Sequence, residues 1–206
     1  NTAIGTHALG ANTTGPRNTA VGNGALQSHT TGANNSAFGY TALQNSTTGE
    51  ENTVFGFEGM LSTTTGNYNV SVGGGALRAN TTASYNTAVG KNALRNNTTA
   101  ADNTAVGYAS LATNTTGASN VALGGNALTA NTTGGSNVGI GYRSLFRNTT
   151  GASNVAIGRA AMDASTTGSN NTSIGYASLA ANTTGTSNTA IGKGALDECT
   201  TGTGNN

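Results

Sequence analysis

Apolar, polar and glycine positions recur along this chain in blocks of seventeen residues, twelve times over, without insertion or deletion. Position 1 is always Asn, position 4 is Ile, Val, Leu or Phe, position 5 is Gly, position 9 is Leu or Met, and positions 13 and 14 are Thr. A fixed short period is typical of units that stack on their neighbours because no unit can bury its own apolar residues. The pattern therefore predicts a repeat array.

The order of residues inside a block favours short strands and corners over helix. The glycines, together with the paired threonines, would break a helix every few residues. Positions 2 to 4 fit a strand whose positions 2 and 4 face the interior while the small position 3 faces outward. Gly at position 5 ends the strand, and a second extended segment is expected from position 8 to 14 with Leu at 9 inward. The prediction is an all-β fold, a parallel β-solenoid or β-roll of twelve coils.

Identical residues of stacked coils lie above one another, so Asn and Thr rows are expected to form hydrogen-bonded ladders. In one block, the residues expected to form the ladders and the core are Asn154, Ile157, Gly158, Met162, Thr166 and Thr167. Residues 1–204 form a single repeat array, and 205–206 begin a further block, which predicts an excerpt of a longer fibre. At about 4.8 Å between strands, twelve coils would extend roughly 58 Å.

Composition argues against several classes of function. Charged residues make up 7% of the chain and the net charge is +1, which gives no electrostatic basis for binding nucleic acid. Apolar runs are too short for membrane insertion. His7 and His29 occupy different block positions and Cys199 is alone, so no catalytic residue, metal site or cofactor is predicted. The chain is not expected to be an enzyme.

The large apolar residues are few for a chain that stands alone. We therefore expect side-by-side association, with a homotrimer as the prediction and a dimer as the alternative, and with the small residues at positions 3 and 8 allowing the chains to approach closely. Asn-Thr-Thr also matches a glycosylation acceptor pattern in seven blocks. Glycans at such spacing would crowd one another, which favours a prokaryotic or viral source. These sites are Asn12, Asn80, Asn97, Asn114, Asn131, Asn148 and Asn182.

The motif Ser153-Asn154-Val155-Ala156-Ile157-Gly158 resembles the repeat of trimeric autotransporter adhesin heads. That resemblance implies left-handed β-rolls wound as trimers. The longer unit, from Asn103 to Gly117, is similar to repeats of long bacterial surface proteins and phage tail-fibre proteins, and this likeness extends over the whole chain.

Aromatic and basic residues at variable positions are the candidates for surface contacts. Aromatic rings suit sugars because they join an apolar face to a polar edge, and arginines suit an anionic glycan or phosphate. The alternatives are rings that cover the seams between coils or chains, and charges that are simply solvated. The candidates are Tyr40, Phe57, Tyr108, Tyr142, Tyr176, Arg143, Arg147 and Arg159.

Three hypotheses for function follow. The first is a structural or adhesive extracellular filament at a bacterial cell surface, acting as a rigid spacer with weak multivalent contacts to a surface glycan or protein. The second is the shaft of a phage tail fibre, on a virion, that serves host attachment. The third is ice binding through a Thr row. It is disfavoured because the paired threonines leave one outward row where two flat rows would be expected.

Overall fold

The computed structural model describes residues 1–205, and the regular elements of this part of the chain are three-residue strands without any helix. The chain divides into two compact units, Asn1–Asp102 and a second that starts at Asn103. The first unit contains β1 (Thr2–Ile4), β2 (Thr19–Val21), β3 (Ser36–Phe38), β4 (Thr53–Phe55), β5 (Val70–Val72) and β6 (Thr87–Val89). The second unit contains β7 (Thr104–Val106), β8 (Val121–Leu123), β9 (Val138–Ile140), β10 (Val155–Ile157), β11 (Thr172–Ile174) and β12 (Thr189–Ile191).

Within each unit, successive strands pair in parallel and in chain order. Every paired residue lies opposite the residue seventeen places further on, as Thr2 does with Thr19 and Val155 with Thr172. Each unit is therefore a parallel β-solenoid, as the block pattern predicts. The Asn row continues to Asn205, whose backbone N–H donates to Asn188 Oδ1 at 3.0 Å, and Asn206 lies outside the described residues.

The remainder of each coil is a run of tight turns, so the second extended segment expected at positions 8–14 was wrong. In the first coil, the backbone N–H groups of Ala8, Gly10 and Asn12 each donate to the carbonyl three residues earlier, at 3.1 to 3.2 Å. Backbone φ is +61° at His7 and +52° at Leu9, the sign that the third residue of a type II turn requires. Three consecutive turns direct the position 9 side chain inward without any strand.

A left-handed backbone at leucine is unfavourable by about 1 kcal/mol or more, yet it recurs at position 9 throughout both units. Burial offsets that cost, because Leu26, Leu77 and Met162 are fully buried and each supplies the one large apolar side chain in the interior of its coil. Coil-to-coil hydrogen bonds continue through the turns, as from Leu9 N–H to Ala25 O at 3.0 Å. The turns are therefore hydrogen-bonded to the next coil, as the strands are.

The two faces of the strand are the reverse of those predicted. Ala156 at position 3 is fully buried, whereas Val155 and Ile157 on either side of it are half-buried on the outer face. The interior of a coil is narrow, because the Leu or Met at position 9, the asparagine at position 1 and the side chain at position 12 already occupy it. Only a small residue fits opposite them, and the branched residues of positions 2 and 4 are left outside.

The small residues of positions 3 and 8 face each other inside the coil, so they cannot provide the chain-to-chain contact expected of them. In one coil, a larger residue at position 3 is matched by a smaller residue at position 8. Val54 is the largest residue at position 3 in the sequence, and Gly59 in the same coil is the only Gly at position 8. A Cβ added at Gly59 would lie 2.7 Å from Val54 Cγ1. The pair thus fills the space that two alanines fill in other coils.

The buried asparagine of position 1 holds each coil to the next. Asn154 Nδ2 donates to Asn137 Oδ1 at 3.1 Å and to Gly168 O at 2.8 Å. Its own Oδ1 accepts two bonds from Asn171, at 3.0 Å from the backbone N–H and 3.1 Å from Nδ2. Both hydrogens and both lone pairs of the amide are therefore used, which removes the cost of burying it.

The remaining ladder and core residues of this block lie at the corners and in the interior. Met162 is fully buried. Gly158 has φ +131°, and a Cβ there would collide with the carbonyl oxygen of Gly175 in the next coil. Thr166 is half-buried and its hydroxyl donates to Thr183 O at 3.1 Å, whereas Thr167 is exposed. Glycine at position 5 is thus required both by backbone conformation and by close approach.

A double-mutant cycle tests the paired interior positions. Gly59→Ala alone should destabilise the protein by about 1 to 3 kcal/mol, because the added methyl collides with Val54. Val54→Ala alone should cost roughly 1.6 kcal/mol, from about 0.8 kcal/mol for each buried carbon removed. The double variant restores two alanines, so its loss of unfolding free energy, measured in urea relative to the parent, should be smaller than the sum of the two single losses. Strictly additive losses would contradict the packing described.

Candidate functional site: the outer ridge of positions 6, 7 and 10

Side chains at positions 6, 7 and 10 form an outer ridge along each unit, because the turns after Gly5 project them away from the interior. The five aromatic candidates all lie on this ridge at position 6 and are about half exposed: Tyr40, Phe57, Tyr108, Tyr142 and Tyr176. Since these rings do not enter the interior, they contribute surface rather than core.

In the first unit the ridge carries a stacked aromatic pair. The ring centroids of Tyr40 and Phe57 are 5.5 Å apart with an angle of 10° between the planes. A second stacked pair, Phe38 and Phe55, lies on the strand face at 4.6 Å. Neighbouring coils therefore extend an aromatic surface by direct ring stacking.

After the Tyr40 and Phe57 pair, the ridge of the first unit opens into a recess. Glu58 Oε2 and Arg78 Nε form an ion pair of 2.7 Å across adjacent coils, from position 7 to position 10. The recess is lined by Phe57, Glu58, Gly74, Gly75, Arg78, Lys91, Asn92 and Arg95. We call this group the Gly74 recess. Cations predominate in its lining.

The second unit has a smaller depression with an ion pair between the same two positions, 7 and 10, of adjacent coils. Arg143 and Asp163 form a two-pronged pair, with Nε to Oδ1 at 3.2 Å and Nη2 to Oδ2 at 3.1 Å. The guanidinium of Arg143 also lies 4.3 Å from the centroid of Phe146, and that of Arg159 lies 5.8 Å from Tyr176. Both cations are thus engaged within the chain.

The structure brings four of the candidates together in this depression. It is lined by Tyr142, Arg143, Arg159, Ala160, Asp163 and Tyr176. Arg147 is exposed at position 11 and lies outside this group. The three arginines therefore do not form one site.

Sequence reasoning missed most of the Gly74 recess. Lys91, Arg95 and the two glycines were not among the candidates, although the pairing of Glu58 with Arg78 had a detectable signal. Opposite charges twenty residues apart, at position 7 of one block and position 10 of the next, recur as Arg143 and Asp163. That spacing places two side chains side by side on neighbouring coils.

Position 12 forms a second buried polar row, which changes the meaning of the Asn-Thr-Thr pattern. Asn80, Asn131 and Asn182 are fully buried, and their Nδ2 groups donate to the position 15 carbonyl of their own coil. In the folded chain these amides are not accessible to a glycosyltransferase. Cys199 occupies the same row as a free, half-buried thiol, with its Sγ 3.7 Å from Asn205 Nδ2.

His29 replaces asparagine in this row and remains fully buried. Its Nε2 lies 2.9 Å from Gly32 O, and its Nδ1 lies 3.3 Å from the Ser46 hydroxyl. These contacts suit a neutral ring that donates through Nε2 and accepts at Nδ1. Burial lowers the pKa of His29, and the hydrogen bonds to Gly32 and Ser46 and the charge of Glu50 offset this only in part.

Within the described residues, no group of three His, Cys, Asp or Glu side chains could hold a metal ion. The same part of the chain holds no helix long and apolar enough to cross a membrane. The chain matches no protein-family model, no curated protein and no solved structure. Its function must therefore be argued from its own residues.

Acidification provides a test of the buried His29. Because the folded state lowers the pKa of this ring, the unfolded chain binds the proton more readily, and stability should fall as pH drops through about 6.5. The urea concentration at the midpoint of unfolding should therefore be lower at pH 5.5 than at pH 7.5. His29→Asn restores the usual residue of the row and should remove most of this difference. The control His7→Asn, at an exposed site, should keep it.

Proposed function

We propose that this chain is a segment of an extracellular structural or adhesive fibre, in which stacked coils set length and stiffness. The observation that carries the proposal is that residues at the recurring positions bind one coil to the next. The Asn of position 1, the Gly of position 5 and the Thr of position 13 each contact the next coil, as Asn154, Gly158 and Thr166 do. A sequence repeated for coil stacking suits a shaft rather than a single concave binding site.

We propose further that the coils are left-handed and that three copies associate into a homotrimer at a bacterial cell surface. The resemblance to autotransporter heads supports both features. A phage tail fibre on a virion is the second candidate, supported by the likeness of the seventeen-residue unit along the whole chain. In both settings the exposed ridge would make weak, repeated contacts with a surface glycan or protein, which gain strength from multivalency.

The outer strand face is the surface that we propose for association between copies. Position 4 places an apolar side chain on this face in every coil, and some of these side chains are substantially exposed. Those of Phe55, Val106 and Ile174 are exposed by 44%, 37% and 37%. Exposed apolar side chains repeated along one face are typical of interaction sites. A second copy of the same chain carries its own position 4 side chains at the same spacing, one on each strand.

The same face argues against ice binding. The stacked rings of Phe38 and Phe55 lie on it, and position 2 is Thr, Ser or Val in different coils. Flat rows of identical hydroxyls, which a lattice match would need, are therefore interrupted. The exposed Thr of position 14 forms a separate row, as Thr167 does.

Removal of whole coils tests the shaft. Deletion of residues 120–187 removes four blocks in register and joins two equivalent positions. The variant should keep the circular dichroism spectrum per residue of the parent and should shorten by roughly 19 Å, at about 4.8 Å per coil. Particle length is measured by small-angle X-ray scattering. Loss of folded structure, or an unchanged maximum dimension, would count against a shaft built by simple addition of coils.

Charged substitutions on the outer strand face test association. Val106→Lys combined with Ile174→Lys should shift the chain from trimer toward monomer in sedimentation equilibrium, because like charges in an apolar contact are costly to desolvate. Thr167→Lys, on the exposed corner row, is the matched control and should leave the mass unchanged. A parent chain that sediments as a monomer at all concentrations would refute the trimer.

A further inference from the structure

The Gly74 recess interrupts the ridge of the first unit at a single coil. Position 6 carries Tyr40, Phe57, Gly74 and Lys91 in four successive coils. One face of the Phe57 ring is stacked on Tyr40. Its opposite face is directed to the coil of Gly74, where position 6 has no side chain to stack on it. The recess therefore contains one uncovered aromatic face where the row of side chains has a gap.

The gap at Gly74 is open space. A Cβ added there would meet no atom nearer than the Phe57 carbonyl oxygen at 4.0 Å. Gly125 in the second unit also occupies position 6, but a Cβ there would meet the ring of Tyr142 at 3.6 Å, so a neighbouring side chain leans over that glycine. Phe57 and Lys91 are two coils apart, about 9.6 Å at the usual strand spacing. That distance leaves room for one six-membered sugar ring between them.

The charges around the gap are unbalanced. Glu58 and Arg78 neutralise each other through their ion pair. Lys91 and Arg95 lie on one coil, at positions 6 and 10, and both are exposed. Among the described residues, neither has a carboxylate within ion-pair distance. Two free cations thus face a slot whose other wall is an aromatic ring.

We propose that the Gly74 recess binds an acidic saccharide. The apolar face of a pyranose ring stacks on Phe57 in the slot at Gly74, and a carboxylate or sulfate group of the sugar pairs with Lys91 and Arg95. Asn92, also in the lining, supplies an amide for ring hydroxyls. This inference rests on the surface-binding part of the proposed function and gives that part a ligand class and a location.

Isothermal titration of the 206-residue chain tests the proposal, with a galacturonate trisaccharide as probe and the neutral galactose trisaccharide as its uncharged counterpart. The acidic sugar should bind and the neutral one should bind at least about tenfold more weakly. Lys91→Gln combined with Arg95→Gln should weaken galacturonate binding by a similar factor. The control pair Arg17→Gln and Lys193→Gln changes the net charge equally and should have no effect.

Gly74→Tyr tests the slot itself. The new ring should continue the stack of Tyr40 and Phe57, fill the gap and abolish binding, while the melting temperature stays at or above that of the parent. Gly125→Tyr is the matched control and should retain binding. Galacturonate affinity that survives Gly74→Tyr, equal affinity for the two sugars, or no measurable binding of either would overturn the proposal. Inorganic sulfate that binds as tightly as the sugar would overturn it too, because the ring would then contribute nothing.

The proposal that the coils form a shaft and the proposal that the Gly74 recess binds a sugar can be refuted independently. The deletion of residues 120–187 leaves the first unit unchanged, so it should shorten the particle while the galacturonate affinity remains that of the parent. Loss of the length effect with intact sugar binding would refute the shaft alone. An intact length effect without sugar binding would refute the recess alone.

Discussion

The hydrogen-bonded row of buried asparagines at position 1 is the interaction on which the rest of the structure depends. Each amide is satisfied only when the next coil places its own asparagine directly above it, as Asn171 does over Asn154. An insertion or deletion in a block would leave a buried amide without a partner, at a cost of about 1 to 3 kcal/mol. This constraint keeps the blocks at seventeen residues and fixes the register of every turn and strand.

Much of the fold could be predicted from the sequence because each structural requirement recurs in every block. The strand at positions 2–4, the inward Leu at 9 and the glycine corner all follow from residue type. The faces of the strand could not be assigned in this way. Branched apolar residues such as Ile157 usually face a core, but here Met162 and the buried polar side chains of the coil already fill its interior, and Ala156 takes the inner face. This crowding can be recognised only in the folded structure, where the turns bring these side chains into one interior.

The candidate site shows the same limit. The position 6 aromatics are identifiable as surface residues because they vary between coils. The Gly74 recess depends on an absent side chain, and a glycine in a glycine-rich sequence gives no signal by itself. Its meaning comes from the neighbours that stacking places around it: Phe57 on one side, and Lys91 on the other. At Gly125 the same residue type makes no slot, because Tyr142 covers it.

The uniform spacing of contacts also determines how this chain folds. The paired strand residues in both units are seventeen apart, and the turn hydrogen bonds between coils span a similar distance, as from Leu9 to Ala25. Loop closure is therefore no more costly for the last coil of a unit than for the first. Once two coils have formed, each further coil adds to an existing template. Folding time in such an array depends on nucleation of the first pair rather than on the number of coils that follow.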